Sequence, residues 1–391
     1  MSTKLPTSPA RERIRKVMRR DGLPDRVPVE IGIGPWYACR LLGATTVDLL
    51  HNNPSPQEAM LEAFRRYDYD PWLWATCPAW LESARADGSD EPAVHEERLC
   101  DTAERLLVRY RVETPLGALS WTLDTVAGRP TVQTERPIKD LEADWPKYRW
   151  WMGAPRRYAR TFTIDETVFG RGVGGPGACL PVSWWVSIRQ GGIEAATYDL
   201  LLHAPFMDEI FAWYRARTLE ELGAILAAEP RDAIDGYFVQ GSSSSLSHSS
   251  LAFFEAYDLP FLQEATRRTR QAGLPSHLHV CGRSRAIVAR CAEQTALDIM
   301  EPLEPPPGGD CDLRDLKTRF GDRLVLKGNL NTFGLLTYGT PEQVREAARR
   351  CLDDAMAGGG FWLATGDQTP ANAPEENLVA LIETARTYGV Y

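Results

Sequence analysis

At 391 residues, with 43% hydrophobic and 25% charged residues, the chain has the composition of a globular protein, which excludes disordered and fibrous classes. A formal net charge of -9, from 44 basic and 53 acidic residues, works against phosphate binding, so no nucleic-acid partner is expected. No apolar run is long enough to span a bilayer. The eight cysteines are scattered, so they read as free thiols of a reducing compartment and the expected location is the cytoplasm.

In chain order, residues 1–20 are basic but interrupted by Pro6 and Pro9. Ile14, Val17 and Met18 recur there at helical spacing, which predicts a helix packed beneath a larger body. Short β-rich runs then alternate with longer helical ones. The candidate strands are 27–33, 72–76, 180–187, 234–240, 276–281, 297–300, 324–328 and 361–365. Eight strands separated by helices give an α/β fold, a (β/α)8 TIM barrel, expected as one domain over residues 1–391.

Residues 81–177 are too long for an ordinary connection. Within them, 106–114 and 118–125 read as paired strands around Pro115-Leu116-Gly117. A helical stretch at 145–151 follows, so this is a β-ribbon and helical insertion after the second strand, forming a cap over one barrel end or a homodimer surface. Further on, helices are expected at 283–294 and 341–356. The second has Thr340 as cap, Pro341 in its first turn and Gln343 completing a capping box. Cys291 and Cys351 fall on the apolar faces of these helices and read as core thiols. The glycines at 358–360 precede a strand, which makes them a helix terminator and not a phosphate cradle. No Walker or dinucleotide motif is present.

Barrel enzymes carry their chemistry at the C-terminal ends of the strands. Polar residues there are Gln240 with the serines of 242–245, His277, His279 and Cys281, Glu301 and Glu304, Asn329 and Asn331, and Asp367. Spacing of two along one strand puts His277, His279 and Cys281 on one face, the lumen. His279 and Cys281 are a plausible start for zinc, with Asp367 or Glu301 as the third ligand. Equally, His277 reads as a satisfied interior histidine and the other two as polar lining. Glu301, His277 and Asn329 are the candidate catalytic groups, and Glu301 with Glu304 reads either as an acid/base pair or as solvated charges on a proline-stiffened loop. Trp184 and Tyr237, with Gln240, are candidates for a substrate pocket or for ordinary core packing.

Several segments carry a resemblance to a known family. They are Asp25-Arg26-Val27-Pro28-Val29, His279-Val280-Cys281-Gly282, Phe320-Gly321-Asp322-Arg323 leading into Lys327-Gly328-Asn329-Leu330-Asn331, and Gly339-Thr340-Pro341-Glu342-Gln343-Val344. The last is Gly359-Gly360-Phe361-Trp362-Leu363-Ala364-Thr365-Gly366-Asp367 leading into Pro374-Glu375-Glu376-Asn377. Together they resemble the uroporphyrinogen decarboxylase superfamily, most specifically from His279 onward. The resemblance implies the barrel and two branches of chemistry, metal-free porphyrinogen decarboxylases and zinc-dependent methyltransferases that exchange methyl groups with a corrinoid.

The decarboxylase branch has an arginine-rich segment after its first strand, whereas residues 32–42 here offer only Arg40. Its strand-end aspartate is replaced by Gln240-Gly241-Ser242-Ser243. A polycarboxylate would be left unpaired. The methyltransferase branch implies metal ligands at His279 and Cys281. Where it has a further cysteine, this chain has Asp367, an oxygen donor better matched to an ether or alcohol oxygen than to a thiol. The expected function is therefore transfer of a methyl group from a methoxylated or methylated small molecule, with zinc and a corrinoid (cobalamin). No Asp-X-His-X-X-Gly segment is present, so the corrinoid is expected on a separate partner protein. The rival readings are a metal-independent decarboxylase or lyase of a small acid, using Glu301, His277 and Arg40, and a noncatalytic ligand-binding barrel.

Overall fold

The computed structural model describes residues 8–72, 81–160, 173–227 and 234–391. After β1 (Val29–Glu30), six antiparallel strands belong to the insertion: β2 (Leu81–Arg85), β3 (Val94–Asp101), β4 (Arg105–Thr114), β5 (Gly117–Val126), β6 (Val132–Glu135) and β7 (Arg156–Arg160). The barrel resumes with β8 (Gly177–Cys179), β9 (Tyr237–Gln240), β10 (Ser276–His279), β11 (Ile299–Glu301), β12 (Val325–Leu330) and β13 (Phe361–Thr365). Seven strands form one parallel sheet in the order β1-β13-β12-β11-β10-β9-β8.

The space between β1 and β8 is occupied by residues 70–72. The Asp70 amide donates to the Val29 carbonyl at 2.7 Å, and the Val173 amide donates to the Pro71 carbonyl at 3.1 Å. Trp72 pairs in parallel with Val173. Residues 70–72 thus stand at the position where the strand 72–76 is expected, and residues 73–76 lie outside the described ones.

One expected strand is corrected. Residues 180–187 do not extend the sheet, because strand β8 ends at Cys179 and Pro181–Ile188 is a helix with proline in its first turn. The apolar run there is buried on several sides, so its pattern lacks the period that separates helix from strand. Trp184 accordingly sits on a helix, not in the barrel wall.

Alternation along the strands sorts the core into two layers. Tyr237, Val239, Leu278, Met300, Leu326 and Leu363 point outward and pack beneath the surrounding helices. Phe238, Ile299, Val325 and Trp362 point inward, and Ile14, Val17 and Met18 of α1 (Pro9–Arg19) plug the lumen from below. The plug is also fastened by charge, with Arg11 to Asp235 at 3.1 Å, both fully buried, and Arg13 to Asp70 at 2.5 Å. Its apolar spacing is the one expected for residues 14–18.

The insertion has its own apolar cluster. Val112 and Leu119 of its sheet and Trp145 and Tyr148 of the helix Leu141–Met152 pack with Trp185 and Phe211. The β4–β5 hairpin pairs Thr114 with Gly117, so Pro115 and Leu116 form the turn as anticipated. Helix Pro341–Ala355 shows the anticipated Thr340 capping box, and Cys291 and Cys351 are buried. Among the described residues, no helix is long and apolar enough to cross a membrane.

Candidate active site at the C-terminal barrel mouth

The register of four adjacent strands builds the site. Cys179 pairs with Gln240, Gln240 with His279, and His279 with Glu301, so four polar side chains stand side by side at the C-terminal end of the sheet. Above them is a cavity of about 620 Å³ whose lining includes Phe238, Gln240, His279, Glu301, Lys327 and Asp367.

His279 and Cys281 are two residues apart at the end of β10, and Asp367 comes from the turn after β13. Their ligand atoms, one from each residue, lie within 4.8 Å of one another. His279 Nδ1 is 2.9 Å from Glu301 Oε1, which leaves the other ring nitrogen on the side of Cys281, the arrangement in which a carboxylate orients a metal-binding imidazole. A nitrogen and a sulfur from the end of β10 and an oxygen from the turn after β13 form a donor set suited to zinc.

Two glycines let this cluster close. Gly282 has φ +74°, and a Cβ there would fall 2.5 Å from Ser247 Oγ and 2.9 Å from Ser245 Oγ. Gly32, at φ +50°, brings the loop after β1 against the Asp367 carbonyl, 2.8 Å from where a Cβ would stand. Glu304 supports the same turn by accepting a hydrogen bond from the Gly282 amide.

Beneath the cluster is a buried charge network. Glu301 Oε2 is 3.1 Å from His277 Nε2 and is also ion-paired with Lys327. Lys327 Nζ reaches Glu30 Oε2 at 2.6 Å and lies 4.5 Å from the Trp362 ring centroid. Burial alone would discharge Lys327, but Glu30 and Glu301 offset it and hold its pKa up. Burial also opposes the charge on Glu301, yet Lys327 and the two histidines carry its pKa well below the carboxylate range. Glu30, where burial dominates over Lys327, is pushed up to about 7. His279 is held well above its ordinary value: burial lowers it, while Cys281, Glu301 and Asp367 together raise it further.

The other sequence candidates fall in different places. Gln240 is in the cavity wall, accepting from Cys179 Sγ at 3.4 Å and donating to Ser242 Oγ at 2.9 Å. His277 lies one layer deeper, fully buried between the rings of Trp72 and Phe238 at centroid distances of 5.0 and 5.2 Å, and burial lowers its pKa. Asn329 is turned away from the cavity, donating to the Leu303 carbonyl at 2.9 Å and accepting from Cys351 Sγ. Tyr237 faces the outer helices, because its neighbours Phe238 and Gln240 take the inward positions. Trp184 stacks on Tyr214 at 4.2 Å in the insertion cluster. Arg40 donates to the carbonyls of Ala371 and Ala373.

Sequence reasoning gave no role to Glu30, Lys327, Cys179 or Phe238. The signal for Glu30 and Lys327 was present: each is a single charge inside an apolar strand, and a charge kept in a barrel strand needs a buried partner.

Comparison with known proteins agrees with this architecture. Residues 235–388 match the model of the family described as uroporphyrinogen decarboxylase (URO-D). This stretch resembles that family. It contains β9 to β13 and all three residues of the His279, Cys281 and Asp367 cluster.

Two curated relatives are each named methylcobamide:CoM methyltransferase MtbA. The one from Methanosarcina mazei is 29% identical and the one from Methanosarcina acetivorans 30% identical, over 139 residues in both cases. Each alignment covers 35% of this chain and 37% of the relative, so the chain matches little more than a third of their length. A solved methyltransferase from Methanosarcina mazei superposes on 97% of this chain and 98% of its own, with a TM-score of 0.59 at 16% identity. The fold is therefore shared with that structure, and the sequence resemblance leans to the methyltransferase branch.

Proposed function

We propose that this protein is a zinc-dependent methyltransferase that moves a methyl group from a methoxylated or methylated small molecule to a corrinoid carried by a separate protein. The observation that carries the reading is the convergence of His279, Cys281 and Asp367 at the barrel mouth. The resemblance to proteins named methylcobamide:CoM methyltransferase supports it. Zinc held there would supply a Lewis acid for the ether oxygen, and a corrinoid would supply the acceptor for the methyl group.

The chain's own residues do the rest. Glu301 fixes the His279 ring through Nδ1, so the imidazole presents its other nitrogen. Lys327 keeps Glu301 ionised in a buried setting. Phe238 and the small residues of β8 provide an apolar wall that excludes water from the reacting end. The metal-independent lyase is less well supported, because Arg40, its intended carboxylate partner, is spent on backbone carbonyls. All seven described cysteines are free thiols, which suits an enzyme of the cytoplasm.

The test is methyl transfer to free cob(I)alamin, kept reduced, by the zinc-loaded protein with 2-methoxyphenol as donor. Methylcobalamin and catechol are expected together, with the rate falling at least about a hundredfold in Cys281→Ala. Catechol formed at equal rates by wild type and variant, or demethylation that needs no zinc, would contradict the reading.

A further inference from the structure

The charge of the cavity limits what can enter it, and this inference rests on the methyl-donor reading above. Among the described residues lining the cavity, Lys327 is the single lysine or arginine, against Glu30, Glu301 and Asp367. Its ammonium has three donor directions, and three neighbours take them: Glu30 at 2.6 Å, Glu301, and the face of Trp362 at 4.5 Å. Nothing remains of that cation for a substrate anion. A dication at the mouth would be balanced by the Cys281 thiolate and the Asp367 carboxylate. At pH 8, above the value of about 7 to which Glu30 is pushed, the remaining count among the described lining residues, two glutamates against one lysine, leaves the enclosure negative. The rest of the wall combines the apolar Phe238, Ile33, Pro302 and Ala178 with the uncharged polar side chains of Gln240, Ser242, Thr365 and Gln368, which suit a neutral hydroxyl or ether. A carboxylate carried into this space would lose its water and meet like charges, with neutral hydrogen-bonding groups but no free lysine or arginine among the described lining residues to pair it.

We propose that the cavity takes an uncharged methyl donor, of the size of a single-ring methyl ether, and rejects the same ring when it carries a carboxylate. A volume of about 620 Å³ accommodates one such ring with room for an approaching methyl acceptor.

The experiment is isothermal titration of the zinc-loaded protein at pH 8 with 2-methoxyphenol and with 4-hydroxy-3-methoxybenzoate, which differ by one carboxylate. The uncharged ring is expected to bind at least about tenfold more tightly. In Glu30→Gln, where one of the two charges on Lys327 is removed, that ratio is expected to shrink severalfold toward the acid. Binding of the acid as tightly as the uncharged ring by wild type overturns the proposal while leaving the methyl-ether reading intact. Binding of neither ring overturns both. An unchanged ratio in Glu30→Gln overturns the assignment of the selectivity to the lysine and its two glutamates.

Discussion

Glu301 is the residue on which the site turns, since it touches His277, His279 and Lys327 at once. Glu301→Gln keeps an acceptor for His279 Nδ1 but removes the charge that makes the imidazole basic, and zinc affinity is expected to fall about 10- to 100-fold. Competition with a chromophoric chelator measures this, and an unchanged affinity would detach Glu301 from the metal site. His279 gives a pH dependence whose sign follows from its raised pKa. In the metal-free protein its charged form is stabilising, fully so below the ordinary value of 6.5, and this contribution is lost as the pH rises through the folded value. Metal needs the neutral ring, so zinc binding is expected to strengthen from pH 6 to pH 8 with release of protons. A pH-independent affinity would show that His279 is not a ligand. At this scale the sequence was partly legible. His279 and Cys281 could be placed on one face because a strand has a period of two, and Asp367 is a candidate as a polar residue at a strand end, with the resemblance in support. Asn329 turns away from the cavity and Tyr237 takes the core-packing alternative, because strand ends leave the side-chain direction open until the neighbouring strands are known.

The elements around the mouth carry two further expectations. Asp258 is buried below the serine loop, with Oδ1 accepting from the Val182 amide at 2.9 Å, and burial pushes its carboxyl up to about 7. Because the folded protein keeps this proton longer than the unfolded chain, stability falls as the pH rises from about 4 to about 7 and then levels off, with a loss of about 4 kcal/mol at most. Asp258→Asn is expected to flatten that slope and to raise the urea midpoint at pH 8, while an unchanged pH profile would count against the assignment. Gly282→Ala is expected to disturb the turn that carries Cys281, since the residue combines positive φ with contacts at 2.5 and 2.9 Å. Its zinc stoichiometry should drop even where circular dichroism shows an intact fold. Helix Pro341–Ala355 was readable in advance because its cap, first turn and apolar stripe all agree. Helix Pro181–Ile188 was not, since a short, evenly buried apolar run suits either state.

For the whole molecule, the plug helix is fastened to the sheet by a few buried charges. Asp70 accepts from Arg13, Arg26 and the Val29 amide, so one carboxylate ties the plug helix α1 to the first two staves. Asp70→Ala leaves two buried guanidinium groups short of a partner and is expected to cost about 3–5 kcal/mol in urea unfolding, whereas a loss below about 1 kcal/mol would show that the plug is held by apolar packing alone. The barrel could be read from the sequence because its strands and helices alternate, and its C-terminal part because motifs cluster at the strand ends. The insertion gave up its hairpin but not its docking, since the partners of Trp145 and Tyr148 come from helices more than 30 residues away.

The central claim is that the barrel mouth holds zinc through His279, Cys281 and Asp367. Its most direct test is elemental analysis of the purified protein, prepared under reducing conditions, beside Cys281→Ala. The account predicts close to one zinc per chain in the wild type and its loss in the variant. A wild type that remains metal-free after reconstitution with zinc, or a variant that retains the metal in full, would contradict it.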